Sequence, residues 1–147
     1  MWLPLLLSAA LLQQPADVVA LKRDAVIAQQ LAIFAQRMHD KQEEAILSSY
    51  TRDAVFIDPS GKRFSSPEEL RKLYDQVFDI LDSDLHFGPP MVRRRGSAFH
   101  ASGSYTEILG NHKTGAIQQI HGTYDFTLRS FYDGHWSFSR MKWTMAN

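Results

Sequence analysis

From Tyr50 to Phe78 the chain reads YTRDAVFIDPSGKRFSSPEELRKLYDQVF. This stretch holds a strand, a turn and a capped helix in succession. Ala54-Val55-Phe56-Ile57 is β-branched and aromatic, the composition of a strand. It stops at Asp58-Pro59-Ser60-Gly61, where proline and glycine suit a turn. Ser66 is placed to cap a helix, Pro67 suits its first position, and Glu69 can reach back to close a capping box. Leu70, Leu73, Tyr74, Val77, Phe78 and Leu81 then recur at helical spacing, which predicts one buried face.

Upstream, Ile27, Leu31, Phe34 and Met38 form an apolar stripe, widened by Ala25, Ala28, Ala32 and Ala35, so a helix is expected over 17–38. Asp40 followed by Glu43 has the shape of a helix start and predicts a short second helix over Gln42–Ser49. Downstream the period changes to two. Phe99, Ala101, Gly103 and Tyr105 alternate with His100, Ser102 and Ser104, a half-buried strand. Leu85–Arg95, interrupted by Gly88-Pro89-Pro90, reads as a bulged edge strand or a strand after a turn. Asn111–Gly115 is a polar hairpin loop, and Ile117–Phe131 is a long strand with Tyr124, Phe126 and Leu128 on one face. Asp133-Gly134 signals a tight hairpin into a last strand carrying Trp136, Phe138 and Trp143. Helices first and antiparallel strands after make the class α+β: about three N-terminal helices packed on a strongly curved sheet.

The 147 residues amount to one domain, with no repeat, linker or low-complexity stretch dividing them. Trp2–Leu12, WLPLLLSAALL, has the length and apolarity of a signal-peptide core, although no Lys or Arg precedes it. It is too short to span a bilayer, which needs about 20 apolar residues. With Val18-Val19-Ala20 as a cleavage point, residues 1–20 are expected to be a leader and 21–147 the domain, secreted or periplasmic. Sixteen basic and sixteen acidic residues balance to zero net charge, which argues against nucleic-acid binding by a basic face. The absence of cysteine excludes a disulfide scaffold, a thiolate metal site and a thiol nucleophile.

The segment 50–61 and the closing hairpin, Tyr124 to Trp136 ending at Lys142-Trp143-Thr144, resemble the nuclear transport factor 2-like superfamily over residues 22–145. The likeness is nearest to its SnoaL-like and ketosteroid-isomerase-like branches. The resemblance implies a conical fold that hosts isomerases, cyclases, dehydratases and plain binders, so it does not itself name an activity. In the isomerase branch an Asp at the end of the first strand moves a proton beside a carbonyl, while a Tyr and a protonated Asp hold the enolate oxygen. Asp58 falls on the position of that base, Phe34 on the Tyr position and Phe126 on the second acid. Phenylalanine donates no hydrogen bond, and losing one such donor costs about 10²–10³ in rate. Steroid-isomerase chemistry therefore fails on these residues.

Asp58 has two readings, a proton carrier facing the cavity or a cap on its own Pro-Ser-Gly turn. His86, between Leu85 and Phe87, is a candidate acid/base partner or a rim residue. The six histidines show no HxH or HExxH spacing, so no metal site is expected, nor any cofactor. Arg93-Arg94-Arg95 alternate along a strand and read as solvated. Tyr105, Glu107, Tyr124 and the tryptophans read as pocket or core. The preferred expectation is a small hydrophobic ligand bound in a conical cavity lined by Phe34, Met38, Phe56, Tyr74, Phe78, Tyr105, Tyr124, Phe126 and Trp143. The alternatives are cofactor-free acid/base catalysis through Asp58 and His86, or a module that only associates. A homodimer through the sheet face is expected in any of the three.

Overall fold

A computed structural model describes residues 16–146. The expected leader therefore lies outside the described residues, except for its last five, which sit in the first turns of a helix. Three helices lie among these residues: α1 (Ala16–His39) and α2 (Glu43–Ser48) precede the first strand, and α3 (Pro67–Ile80) follows the second. Seven strands make one sheet: β1 (Tyr50–Ile57), β2 (Arg63–Phe64), β3 (Leu81–Phe87), β4 (Met91–Arg95), β5 (Ala98–Asn111), β6 (Ile117–Ser130) and β7 (Trp136–Met145). Its order is β2-β1-β7-β6-β5-β3, with β4 also on β5. Most pairs are antiparallel, but β1 runs parallel to β7, so the sheet is mixed. The α+β class and the conical architecture are as expected.

The caps behave as the chemistry of their residues dictates, with two exceptions of detail. The Glu69 N–H donates to the Ser66 hydroxyl at 3.1 Å, and Pro67 opens α3. Glu69 reaches back one residue further than a capping box requires, accepting from the Ser65 N–H at 3.2 Å. Asp40 does not cap α2: its carboxylate accepts from the Gln36 amide at 3.0 Å, and Lys41 breaks the chain direction at φ 55°. The helix therefore starts after Gln42, which makes no side-chain cap.

The interrupted segment 85–95 resolves into two strands that share one edge of β5. β3 pairs with residues 105–111 and β4 with residues 98–102. Gly88-Pro89-Pro90 lies at the junction, where the Gly88 N–H still donates to the Ser104 carbonyl at 2.7 Å. Prolines cannot donate to a ladder, so the break falls where they stand.

Inward-facing side chains of β5, β6 and β7 meet α1 in a core dominated by aromatic rings. Tyr124, Phe126, Leu128 and Met141 are among its fully buried members. Phe126 lies 5.0 Å from the rings of both Tyr124 and Trp143, and 5.8 Å from Phe87 and Phe138. Gly103 is the one position opposite Tyr124 where no side chain fits, since a Cβ there would lie 2.7 Å from the tyrosine hydroxyl. The outer sheet face is exposed and polar, with Arg93, Ser104, Thr123, Asp125 and Lys142 among its residues.

Candidate functional site

The inner faces of β1, β3, β5 and β7 and the undersides of α1 and α3 enclose a cavity of about 270 Å³. This is just below the roughly 300–1,000 Å³ typical of ligand pockets. Helix α1 supplies Phe34 and Met38, and α3 supplies Leu73, Tyr74 and Val77. The sheet supplies Phe56, Leu85, Tyr105, Leu109, Ile120 and Trp143. Phe34, Tyr74 and Tyr105 are almost fully buried, whereas Leu73, Val77 and Leu109 are only half-buried. The first group forms the floor and the second the mouth.

Six of the nine residues expected to line the cavity do so: Phe34, Met38, Phe56, Tyr74, Tyr105 and Trp143. Tyr124 and Phe126 are placed behind Trp143 in the core. Their strand faces inward, but neither side chain lines the cavity: Phe126 packs on the Trp143 ring and Tyr124 on Phe87 and Phe126. The Tyr124 hydroxyl donates to the Gly88 carbonyl at 3.1 Å, and burial pushes its pKa up to about 12. Phe78 is half-buried beside Tyr74, with ring centroids 5.8 Å apart, and does not reach the cavity wall.

Neither Asp58 nor His86 lines the cavity. β1 ends at Ile57, so the alternation that would carry Asp58 inward stops one residue short. The Asp58 carboxylate accepts instead from the Ser60 hydroxyl at 2.6 Å, the Ser60 N–H at 2.9 Å and the Lys62 N–H at 3.0 Å. It ties off the β1–β2 turn, in which Gly61 takes φ 87°. Burial alone would raise its pKa, but the Ser60 hydroxyl and the Lys62 and Ser60 amides outweigh that and hold it below 3.8. An Asp held ionised by its own turn is a poor proton acceptor. A depressed carboxylate stabilises the fold above the ordinary range, and this contribution is lost as pH falls through its folded value. Asp58→Ala should therefore cost about 1–2 kcal/mol at pH 7 and progressively less in acid. Urea denaturation at several pH values measures this; a pH-independent cost would contradict it.

His86 points outward from β3. Its Nε2 lies 2.8 Å from Asp84 Oδ1, and its side chain is 70% exposed. The pair borders an open groove between α1 and β3.

Four side chains that carry polar atoms line the cavity: Glu107, Trp143, Tyr74 and Tyr105. Glu107 is the one carboxyl there, half-buried among Leu85, Leu109 and Ile120. The Ser83 hydroxyl donates to its Oε2 at 2.5 Å, leaving Oε1 without a partner among the described residues. Burial raises the Glu107 pKa above 4.5, and the Ser83 bond offsets part of that rise. The second group is the Trp143 indole. The residue is 9% exposed, and its Nε1–H is wholly buried in the ring packing with no acceptor among the described residues. A buried donor left unpaired costs about 1–3 kcal/mol. A third polar feature lies deeper: the Tyr50 and Tyr74 hydroxyls are 2.6 Å apart, and Tyr50 also donates to Met141 Sδ at 3.1 Å.

The sequence reading placed Glu107 with pocket or core residues and gave it no chemical role. The signal was available. Extending the alternation Phe99, Ala101, Gly103, Tyr105 by one step puts Glu107 on the inward face. Among the described residues no group of three or more His, Cys, Asp or Glu is placed to hold a metal ion. No described helix is long and apolar enough to cross a membrane.

No family model and no curated protein matches the chain by sequence. Solved structures match it by fold. A nuclear transport factor 2-like protein from Salmonella enterica superposes with a TM-score of 0.75 at 12% identity, covering 84% of this chain and 91% of that one. A candidate scytalone dehydratase from Novosphingobium aromaticivorans gives a TM-score of 0.79 at 12% identity, over 90% and 89% of the two chains. A ketosteroid isomerase-like protein from Erwinia carotovora gives 0.69 at 19% identity, over 83% and 95%. At these identities the likeness establishes the fold, which is nuclear transport factor 2-like.

Proposed function

We propose that this chain, built on the nuclear transport factor 2-like fold, binds a small, mostly apolar molecule in the cavity between α1, α3 and the sheet. One observation carries the reading. The cavity is lined almost wholly by aromatic and aliphatic side chains, with a single carboxyl, Glu107, on its wall. Binding sites commonly combine an apolar lining with a few placed polar groups. The fold's neighbours include a candidate dehydratase and an isomerase-like protein, which is compatible with either binding or catalysis. Isothermal titration with a neutral bicyclic aromatic such as 2-naphthol tests the reading. Saturable binding at one site supports it, and no heat up to the solubility limit overturns it.

Glu107 favours a second reading, cofactor-free proton transfer, with the carrier on β5 and not at Asp58. A carboxyl whose pKa is raised by burial takes up a proton more readily than an exposed one, which suits a proton carrier. Tyr74 from α3 and Tyr105 from β5 are the other titratable side chains on the wall, and burial pushes both upward, so they stay neutral. The linkage sign follows. Because folding raises the Glu107 pKa, its stabilising share is full in acid and is lost as pH rises through the folded value. Glu107→Gln should leave the melting temperature unchanged at pH 4 and raise it at pH 8. A variant that is less stable at pH 8 would contradict a strained, buried carboxyl.

The proposal extends to a homodimer through the sheet face that no helix covers, which sedimentation velocity reports. It also includes export, on the apolar run Trp2–Leu12, which N-terminal sequencing of the cell-expressed protein tests.

A further inference from the structure

We infer that the open groove across the outer face of the sheet, from β4 to β7, is a binding site for a small phosphate-bearing anion, a phosphate or diphosphate ester. It is separate from the cavity, with which it shares no lining residue.

The sheet assembles cations that lie far apart in the chain. Arg93-Arg94-Arg95 alternate along β4, which puts Arg93 and Arg95 on one face of it. Register then sets Arg93 opposite His100, His100 opposite Thr127 and Thr127 opposite Arg140. One row across four strands therefore carries a guanidinium at each end and an imidazole between them. It measures about 14 Å at the usual strand spacing. Ala101, Phe126 and Met141, which alternate with this row, are fully buried, so the row faces outward. Its two ends line a groove of about 700 Å³, together with Arg94, Arg95 and Asp125.

Counter-charge in the groove is scarce. Asp125 is the one carboxylate against four guanidiniums. His100 Nδ1 stands 3.7 Å from it and Arg140 Nη1 3.9 Å, both beyond hydrogen-bond distance. Arg94 gives its Nε–H to the Gly96 carbonyl at 3.2 Å, and Arg93 reaches only Met91 Sδ at 3.8 Å. Among the described residues Arg95 pairs with no acid. The whole chain is neutral, so this excess is a local arrangement. Like charges set side by side on a sheet destabilise it, and an anion that binds the folded face relieves that cost. Phosphate suits these donors. Each guanidinium fork can take two of its oxygens, and its tetrahedral shape offers others to a second arginine on another strand. A monocarboxylate has two oxygens and one charge, enough for one fork. The groove lies on the face proposed to self-associate, where a bound anion would offset repulsion between the arginines of two copies.

The experiment titrates inorganic pyrophosphate calorimetrically into the full chain at pH 7, at low salt and at about 0.15 M salt. Saturable binding at one site per chain is expected, weaker at the higher salt. Arg93→Gln and Arg140→Gln should each weaken it about tenfold or more, the factor for losing a charge-assisted hydrogen bond. Arg140→Lys should recover only part of the loss, since it keeps the charge but not the fork. Asp125→Asn removes the groove's own carboxylate and should tighten binding about threefold, a gain that a merely structural defect does not produce. Arg129→Gln removes a charge from the same sheet face outside the groove, where Asp53 stands 3.9 Å from Arg129, and should leave affinity within about twofold. Absence of saturable binding at low salt overturns the inference. Equal weakening by Arg129→Gln and Arg140→Gln also overturns it, because that marks a diffuse field in place of a site. A labelled oligonucleotide that binds this face and is not displaced by pyrophosphate makes it a nucleic-acid surface, which overturns the inference too.

Discussion

Phe126→Ala will lower the unfolding free energy by about 3–5 kcal/mol, the usual cost of truncating a large buried aromatic. Phe126 is fully buried, and it touches the rings of Tyr124, Phe87, Phe138 and Trp143. Those partners come from β6, β3 and β7, so collapse into the vacated space would need several strands to move together. The core is packed like a solid, and the cavity would largely remain. Urea denaturation of the purified variant measures the loss. A cost below about 1 kcal/mol would mean that the aromatic cluster is not the keystone of the sheet's inner face. The effect on function would be indirect: Phe126 backs Trp143, so binding should weaken through a slackened wall.

Val77→Phe is the second large effect, and it falls on binding while stability stays nearly unchanged. Val77 faces the cavity from α3 and is only half-buried, so a phenylalanine there can occupy the void without displacing backbone. Stability should change by no more than about 1 kcal/mol, since filling a void offsets the strain of a larger side chain. Binding should fall by about a hundredfold or more, equivalent to roughly 2.7 kcal/mol, because ring and ligand compete for the same 270 Å³. Titration of 2-naphthol into the folded variant checks this. Unchanged affinity would place the ligand somewhere other than this cavity.

The fold was legible because its signals are local and redundant. The Ser66-Pro67-Glu68-Glu69 start, the Asp133-Gly134 hairpin and the alternating aromatics of β5 and β6 each need only a few residues to read. The parallel pairing of β1 with β7 was not legible. No local pattern says which strand lies beside β1; only the closing of the sheet does. The aromatic part of the cavity wall was readable from apolar periodicity. Tyr124 and Phe126 share the inward face of their strand, yet whether an inward side chain meets a void or another ring depends on the third dimension. Asp58 and Glu107 illustrate the harder problem. Asp58 is conspicuous in sequence beside Pro-Ser-Gly, but the strand ends one residue earlier and the turn claims its carboxylate. Glu107 looks like an ordinary strand residue, flanked by Thr106 and Ile108. Its meaning comes from register: it lies opposite Leu85 on one side and Ile120 on the other, both on the cavity wall.

The chemistry that results differs from what position alone would assign. The carboxyl at the end of β1 is ionised and structural. The carboxyl in the middle of β5 is the one on the cavity wall, with burial raising its pKa.

The central claim is that a small molecule sits against Trp143 inside the cone. The most direct measurement is a ¹H–¹⁵N spectrum of the labelled protein titrated with 2-naphthol, with the Trp143 indole resonance assigned by its loss in Trp143→Phe. The account predicts that this resonance and the amides of Leu73, Tyr105 and Glu107 shift together and saturate along one isotherm. An indole resonance that stays fixed up to the solubility limit, or shifts confined to the groove around Ala32, His86 and Pro89, would contradict it.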